Sequence, residues 1–337
     1  MSYNLVAKTL RGALFGSALT AAGVYLPSVI IDQMYLQDFH MMKVFLTASA
    51  ASAIILTVLS KSYKSLKPRS PSNLGWLGSY DGNIIGGALI GVGMTLTGSC
   101  PGTVYLQVAS AIASGVPVLL GGLFAGFVYF GTAPYLKTAA AKREKSDESQ
   151  NCVYSKLHTD PSTTLLAFEA LMMGAIVLSS QQPSAPYLLN PIVGGLLVGL
   201  SQLASVLLSG QGLGISGSYE EFGAWIWYFI DTIRGQQPKT RPSFGNIHFA
   251  LSAMLGTYLM RQQFPEFAIG DSMPISNERA FLGGFLMIFG SRMAGGCTSG
   301  HGITGMSMLS VSSIISVAAM FGGGMGLGLL MRSGLIG

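Results

Sequence analysis

Charge is scarce in this chain. Only 10% of its 337 residues are Asp, Glu, Lys or Arg, whereas 50% are apolar. Soluble domains carry about 25% charged residues, so an ordinary soluble domain is excluded. The few charges cluster, and residues 83–134 hold none. Cysteine is scarcer still. Three cysteines are too few for a disulfide framework. Two of them with one histidine do not complete a closed zinc site, which takes four ligands. No metal and no cofactor is therefore expected. The chain has no nucleotide-binding signature, so any transport it performs is passive or ion-coupled. Its net charge of +5 sits in connecting segments and is no sign of nucleic-acid binding.

What is present is long apolar sequence. A membrane span needs roughly 20 apolar residues. Candidate spans are 12–31, 43–60, 84–99, 116–135, 164–180, 191–209, 246–262, 280–296 and 308–331. The expected fold is an all-α polytopic helical bundle in a lipid bilayer. Basic loops tend to stay cytoplasmic, which places 61–73 (Lys61, Lys64, Lys67, Arg69) and 137–158 (Lys137, Lys142, Arg143, Lys145) inside. Lys8 and Arg11 before an apolar run mimic a secretory signal, but that run belongs to a repeat and is expected to stay. Trp225, Trp227 and Tyr228 read as an interfacial belt, and most of the glycines as helix-packing surfaces.

The repeat is the stronger signal. At an offset of 75, Gly12, Gly16, Thr20 and Gly23 match Gly87, Gly91, Thr95 and Gly98. Further copies begin at Gly194 and Gly283. Cys100 follows Gly86 by 14 residues, and Cys297 follows Gly283 by 14. Four units therefore group into two halves of one transmembrane domain: 1–158, and 159–337 with one extra helix. Internal symmetry of this kind is common in transporters, whose sites lie near the midplane between repeats.

Each cysteine falls at a glycine-rich break. Gly98-Ser99-Cys100-Pro101-Gly102 should end one helix near Gly98 and start another near Pro101. In the fourth unit, Gly295 and Gly296 precede Cys297, with Thr298 or Ser299 expected to cap the next helix. Comparable breaks at Gly23–Pro27 and Gly210–Gly217 have no cysteine. Broken backbone at membrane depth is tolerated where it lines a cavity, and helix N-termini favour anions. Thiols there suit a soft sulfur ligand, whereas a lone membrane cysteine is ordinarily a small core residue. Arg292, five residues before Cys297, either draws anions inward or pairs with Glu169. His301 either bonds substrate or is a satisfied structural histidine. Cys152 is expected to be structural.

The segments Gly-Met-Thr-Leu-Thr-Gly-Ser-Cys-Pro-Gly around Cys100 and Gly-Ser-Arg-Met-Ala-Gly-Gly-Cys-Thr-Ser-Gly-His-Gly around Cys297 resemble the YeeE/YedE family of sulfur transport proteins. The resemblance runs over nearly the whole chain. It implies thiosulfate uptake across the plasma (inner) membrane and an hourglass-like fold with loops dipping to the membrane centre. It also implies a narrow path along which cysteine thiols, here Cys100 and Cys297, hydrogen-bond the passing ion. Well-known members have another cysteine in the first repeat. Here that break reads Gly23-Val-Tyr-Leu-Pro-Ser, with Tyr25 and Leu26 near the place.

The leading expectation is a permease, not an enzyme, for thiosulfate or a similar small sulfur anion. Its site would comprise Cys100, Cys297, Ser99, Gly98, Pro101, Gly102, Gly296, Thr298, His301 and Arg292. A second reading is a membrane sulfurtransferase that forms a cysteine persulfide and hands sulfur to a cytoplasmic sulfur-carrier protein. A third is a channel or scaffold in which the cysteines only pack.

Overall fold

In lipid every backbone amide and carbonyl must find a partner within the protein, so apolar runs become helices. A computed structural model describes residues 2–63, 66–138, 151–182, 187–235, 240–270 and 273–335. Lys64, Lys142, Arg143 and Lys145 of the basic loops lie outside the described residues.

The described chain is almost wholly helical. Its helices are α1 (Ser2–Ala21), α2 (Pro27–Met34), α3 (His40–Ser62), α4 (Asp81–Thr97), α5 (Thr103–Ala109), α6 (Gly115–Leu136) and α7 (Val153–Leu157). There follow α8 (Pro161–Ser180), α9 (Pro191–Ser209), α10 (Gly217–Ile233), α11 (Gly245–Gln263), α12 (Asn277–Ala294), a π-helix (Thr298–Gly305) and α13 (Val311–Arg332). A single isolated bridge, Cys152 to Ser310, is the extent of β-pairing among the described residues.

Five of these helices, α3, α6, α8, α9 and α13, are long and apolar enough to cross a membrane. The pair of α12 and the π-helix, bent by 43°, makes a sixth if taken as one span. The protein is thus a polytopic helical membrane protein with a broken span, but with fewer full-length spans than the nine apolar stretches. The shortfall has a physical cause. The stretch 12–31 is two helices, because α1 stops at Ala21 and α2 starts at Pro27. Helix α4 has only 17 residues. Helices α1 and α11 are less apolar because they face each other through Gly12, Gly16 and Thr20 on one side and Ala253, Gly256 and Thr257 on the other.

Packing follows a matched pattern. Helix α1 lies along α11 as α9 lies along α3, and α6 lies on α12 as α13 lies on α4. Helices α4 and α12 run antiparallel. Gly82 meets Met293, Gly86 meets Gly290 and Ala294, and Gly93 meets Gly283. Helices α1 and α9 are antiparallel too, since Ala22 meets Gly194 while Arg11 donates to Ser209 at 2.7 Å. Glycine makes these approaches possible by leaving no side chain between backbones.

Candidate functional site

All four units end in a left-handed glycine: Gly23 (φ 70°), Gly98 (58°), Gly210 (63°) and Gly295 (81°). Two residues after each glycine stand Tyr25, Cys100, Gly212 and Cys297. The cysteines therefore occupy equivalent backbone positions, and Tyr25 occupies the matching place in the first unit. Its phenol is buried and donates to the carbonyls of Phe267 and Ile269, both at 3.0 Å.

The first two breaks meet. Gly98 packs on Pro27, and Gln107 clasps both breaks by donating to the carbonyls of Tyr25 and Gly98 at 2.9 Å. Ser99 donates to the Gln107 side-chain oxygen at 2.5 Å. The second pair repeats this device, with the Gln202 side-chain oxygen accepting from the Leu213 amide at 3.1 Å and the Thr304 hydroxyl at 2.9 Å. No sequence rule singles out either glutamine.

Cys100 is buried in the turn before α5. The helix begins at Thr103 rather than Pro101, because the Thr103 hydroxyl takes the Cys100 amide at 2.8 Å and extends the turn. Pro101 and Gly102 form that turn, and the Pro101 carbonyl accepts from Tyr219 at 3.4 Å. Cys297 is fully buried, with its sulfur 3.3 Å from the Ser299 hydroxyl. The Ser216 hydroxyl and the amides of Ser216 and Gly300 also face it. The segment after Cys297 is a π-helix without a side-chain cap, which corrects the expected capping by Thr298 or Ser299. A π-turn widens the backbone, and such turns are frequent at functional sites.

The two breaks converge on one cavity of about 50 Å³. Cys100, Gly102 and Thr103 line it from one side, Thr298, Ser299 and Ile303 from the other, and α3 and α9 close it with Val44, Phe45, Ala48 and Val198. A single water needs roughly 10–15 Å³, so the space suits a small polyatomic ion. Cys297 itself does not line it, but Ser299 links the thiol to it. The buried Tyr219 phenol lies within electrostatic range of both thiols, and its ring lies tilted against that of Tyr105 with centroids 5.2 Å apart. Tyr219 was not distinguishable from any helical aromatic in the sequence.

The remaining candidates stand behind Cys297. His301 uses both ring nitrogens, facing Ser313 and the Ala294 carbonyl at 3.0 Å each. It therefore braces the break. Gly296 lies against Arg69 and His301, where a side chain would meet their nitrogens at 2.9 Å. Arg292 forms an ion pair with Glu220 and reaches Ser216 at 3.4 Å. Glu169 is not its partner, which corrects that alternative. The pair is partly exposed, so its own stabilising contribution is only about 1 kcal/mol. Arg292→Gln is expected to raise the half-saturating anion concentration several-fold, whereas Glu220→Gln leaves the cation beside Ser216 and has little effect. Uptake titrations of the two variants check this.

Arg69 was read only as a loop charge, yet it is built into the Cys297 break. It donates to the Gly300 carbonyl at 2.8 Å and the Gly295 carbonyl at 2.7 Å. Its own carbonyl accepts from Asn151, from Ser310 at 3.2 Å and from Ser312 at 2.9 Å. Buried Asp81 fastens the following loop through the amides of Leu74 and Trp76, both at 2.7 Å. The guanidinium thus caps carbonyls that would repel an anion and places a fixed cation beside Cys297. Hydrogen bonds to charged groups contribute about 1.5–3 kcal/mol. Arg69→Gln is expected to slow uptake at least about tenfold, and Arg69→Lys, which keeps charge but loses the fork, to fall between. Initial uptake rates, normalised to folded protein, decide it.

Cys152 plays no part in this arrangement. It is buried, donates to the Met308 carbonyl at 3.6 Å, and burial pushes its thiol up. All three cysteines are free, and no group of three or more metal-ligating side chains occurs among the described residues.

Facing helix breaks around a central cavity, in a bundle of membrane-crossing helices, are the features of a helical membrane transport protein. Residues 21–326 match the family described as "Sulphur transport". The chain belongs to this family. It is 24% identical to the thiosulfate transporter TsuA of Spirochaeta thermophila over 325 residues, covering 90% of this chain and 92% of that protein. It is also 33% identical to a "probable transporter" of Xylella fastidiosa over 138 residues, 40% of this chain and 88% of that protein.

Proposed function

We propose that the protein is an inner-membrane permease for thiosulfate or a closely similar sulfur anion, handed between the thiols of Cys100 and Cys297. The observation that carries this reading is the single cavity on which both cysteine breaks converge. In a mainly apolar wall, the Cys100 thiol and the hydroxyls of Thr103, Thr298 and Ser299 offer donors to a polarisable terminal sulfur, with the Cys297 thiol behind Ser299, while Arg69 and Arg292 favour negative charge. Gly98, Ser99, Pro101 and Gly102 shape the first thiol's turn. Gly296, Thr298 and His301 shape the second.

The two halves, 1–158 and 159–337, act as inverted repeats in this reading. The antiparallel α4 and α12 support it, as does the matched packing of α1 on α11 and α9 on α3. A half-length relative that aligns over 88% of its own length supports the division into two halves. Inversion would put the Cys100 break towards one membrane face and the Cys297 break towards the other, as alternating access requires.

The test is uptake of radiolabelled thiosulfate into proteoliposomes, competed by sulfite, sulfate and other sulfur anions. Competition by sulfur-terminated anions above oxygen-terminated ones supports the reading, and absence of saturable uptake removes it. Mass spectrometry on the same protein separates the sulfurtransferase alternative. There a thiolate attacks the outer sulfur of thiosulfate, the S–S bond breaks, sulfite leaves and the cysteine gains one sulfur atom for a carrier protein to collect. A permease transports while its cysteines stay unmodified.

A further inference from the structure

Glu169 is the one carboxylate placed in the middle of a long apolar span of the described chain, and neither cysteine break uses it. It sits on α8 and lines a cleft of about 410 Å³ between α3, α8 and α9. One of its carboxyl oxygens is buried with no hydrogen-bond partner. Thr47, on the facing wall of α3, is 6% exposed and its hydroxyl is likewise unpartnered. Two orphaned polar groups in one cleft call for a missing occupant, because unsatisfied buried groups are costly.

We propose that uptake is proton-coupled and that Glu169, facing Thr47, is the proton-binding carboxylate. This rests on the transport reading above. A hard metal cation takes six to eight oxygens. The other polar residues of the cleft are Ser180, whose hydroxyl already donates to Ile176 at 2.8 Å, and Gln181. One carboxylate and one hydroxyl are too few for such a cation and sufficient for a proton. No other titratable side chain lines the cleft: α3 contributes Thr47, Ala50, Ala51 and Ile54, and α9 contributes Ile192 and Leu196. His40, Lys43 and Lys61 of α3 lie outside it, and Lys43 acts on His40.

The cleft is wired to the anion path. Helix α3 is their common wall, since Thr47 and Ala51 face Glu169 while Val44 and Ala48 face the central cavity. Phe168 and Met172, on either side of Glu169 in α8, pack in one cluster with Phe45, Met306 and Leu309. The Phe45 ring fills the space beside Gly302, and Ser49 donates to the Gly302 carbonyl at 3.0 Å. Charging or neutralising Glu169 therefore bears on α3, and through α3 on the segment that follows Cys297. One proton binds the carboxylate as an O–H from the outer side and is released to inner water with each anion. The charge carried inward per thiosulfate falls from two to one.

The experiment uses proteoliposomes with radiolabelled thiosulfate and a pH dye. In wild-type protein, acid outside should drive accumulation, by up to about tenfold per pH unit for one proton, with alkalinisation outside. Glu169→Gln should keep exchange of thiosulfate at equal concentrations on both sides but lose the response to the pH gradient. Thr47→Val should weaken that response, and Glu169→Asp should retain it. Full gradient response in Glu169→Gln overturns the proposal, as does wild-type exchange indifferent to the gradient. Absence of wild-type exchange is a different failure, because it removes the transport reading itself.

Discussion

Cys100→Ala and Cys297→Ala are each expected to slow thiosulfate uptake about 5- to 150-fold while leaving the protein folded. The argument is one of small side chains in a well-made frame. Cys→Ala removes one sulfur, and neither thiol holds the fold. The Cys100 turn is secured by the Thr103 hydroxyl on the Cys100 amide at 2.8 Å and by Gln107. The Cys297 break is secured by Arg69 and His301. What is lost is a hydrogen-bonding group on the proposed path, Cys100 on the cavity wall and Cys297 behind Ser299. A buried anion deprived of one partner loses about 1–3 kcal/mol, or roughly 5- to 150-fold in rate at that step. Loss at either step slows the whole relay, because the two steps are in series. Serine should restore part of the rate at both sites, because a hydroxyl donates a hydrogen bond as a thiol does but is smaller and less polarisable against a terminal sulfur. If both alanine variants take up thiosulfate normally, the thiols only pack, and the reading of a channel without a cysteine relay stands.

Charge at −100 mV inside sets the second constraint on the mechanism. Moving a dianion inward is opposed by about 2.3 kcal/mol per charge, or about 4.6 kcal/mol in all. A relay of neutral thiols cannot supply that. It lowers the barrier in both directions equally, so accumulation needs a driving ion or consumption inside.

The membrane fold was legible because lipid leaves a chain few options: scarce charge and apolar runs dictate helices. The cysteine positions were legible through the equal spacing of 14 residues, which translates into one backbone device, a left-handed glycine two residues before the sulfur. Two kinds of feature were hidden. The first is local geometry that a hydroxyl decides, such as α5 starting at Thr103 instead of Pro101, or a π-helix where a capped α-helix was expected. The second is partnership across the chain. Arg69 meets Gly295 across 226 positions and Gly300 across 231, and no pattern local to residues 61–73 announces that. Arg292 shows the same limit. Its partner is Glu220, not Glu169, because α12 and α10 bring those side chains together while Glu169 faces α3.

Gly98→Ala and Gly102→Ala should separate the frame from the path. Gly98 has φ 58°, and a Cβ there would lie 2.7 Å from the backbone of Pro27. The left-handed conformation alone costs alanine about 1–2 kcal/mol. The contact with Pro27 is with backbone at the start of α2, which cannot rotate away, so α2 must shift. That shift strains the Gln107 clasp, which holds Gly98 and Tyr25 together at 2.9 Å. Gly98→Ala is therefore expected to lose stability and uptake together, visible as a lower melting temperature in detergent and reduced folded yield. Gly102 differs in both respects. Its φ is −78°, and a Cβ there would meet the Cys100 sulfur at 3.6 Å and Ile215 at 3.8 Å, ordinary contacts. Gly102→Ala should fold with an unchanged melting temperature. It adds a methyl group to the wall of a cavity of only about 50 Å³, beside the first thiol, and uptake should fall sharply for that reason alone. A stable Gly102→Ala protein with normal uptake would mean that the ion does not pass beside Cys100.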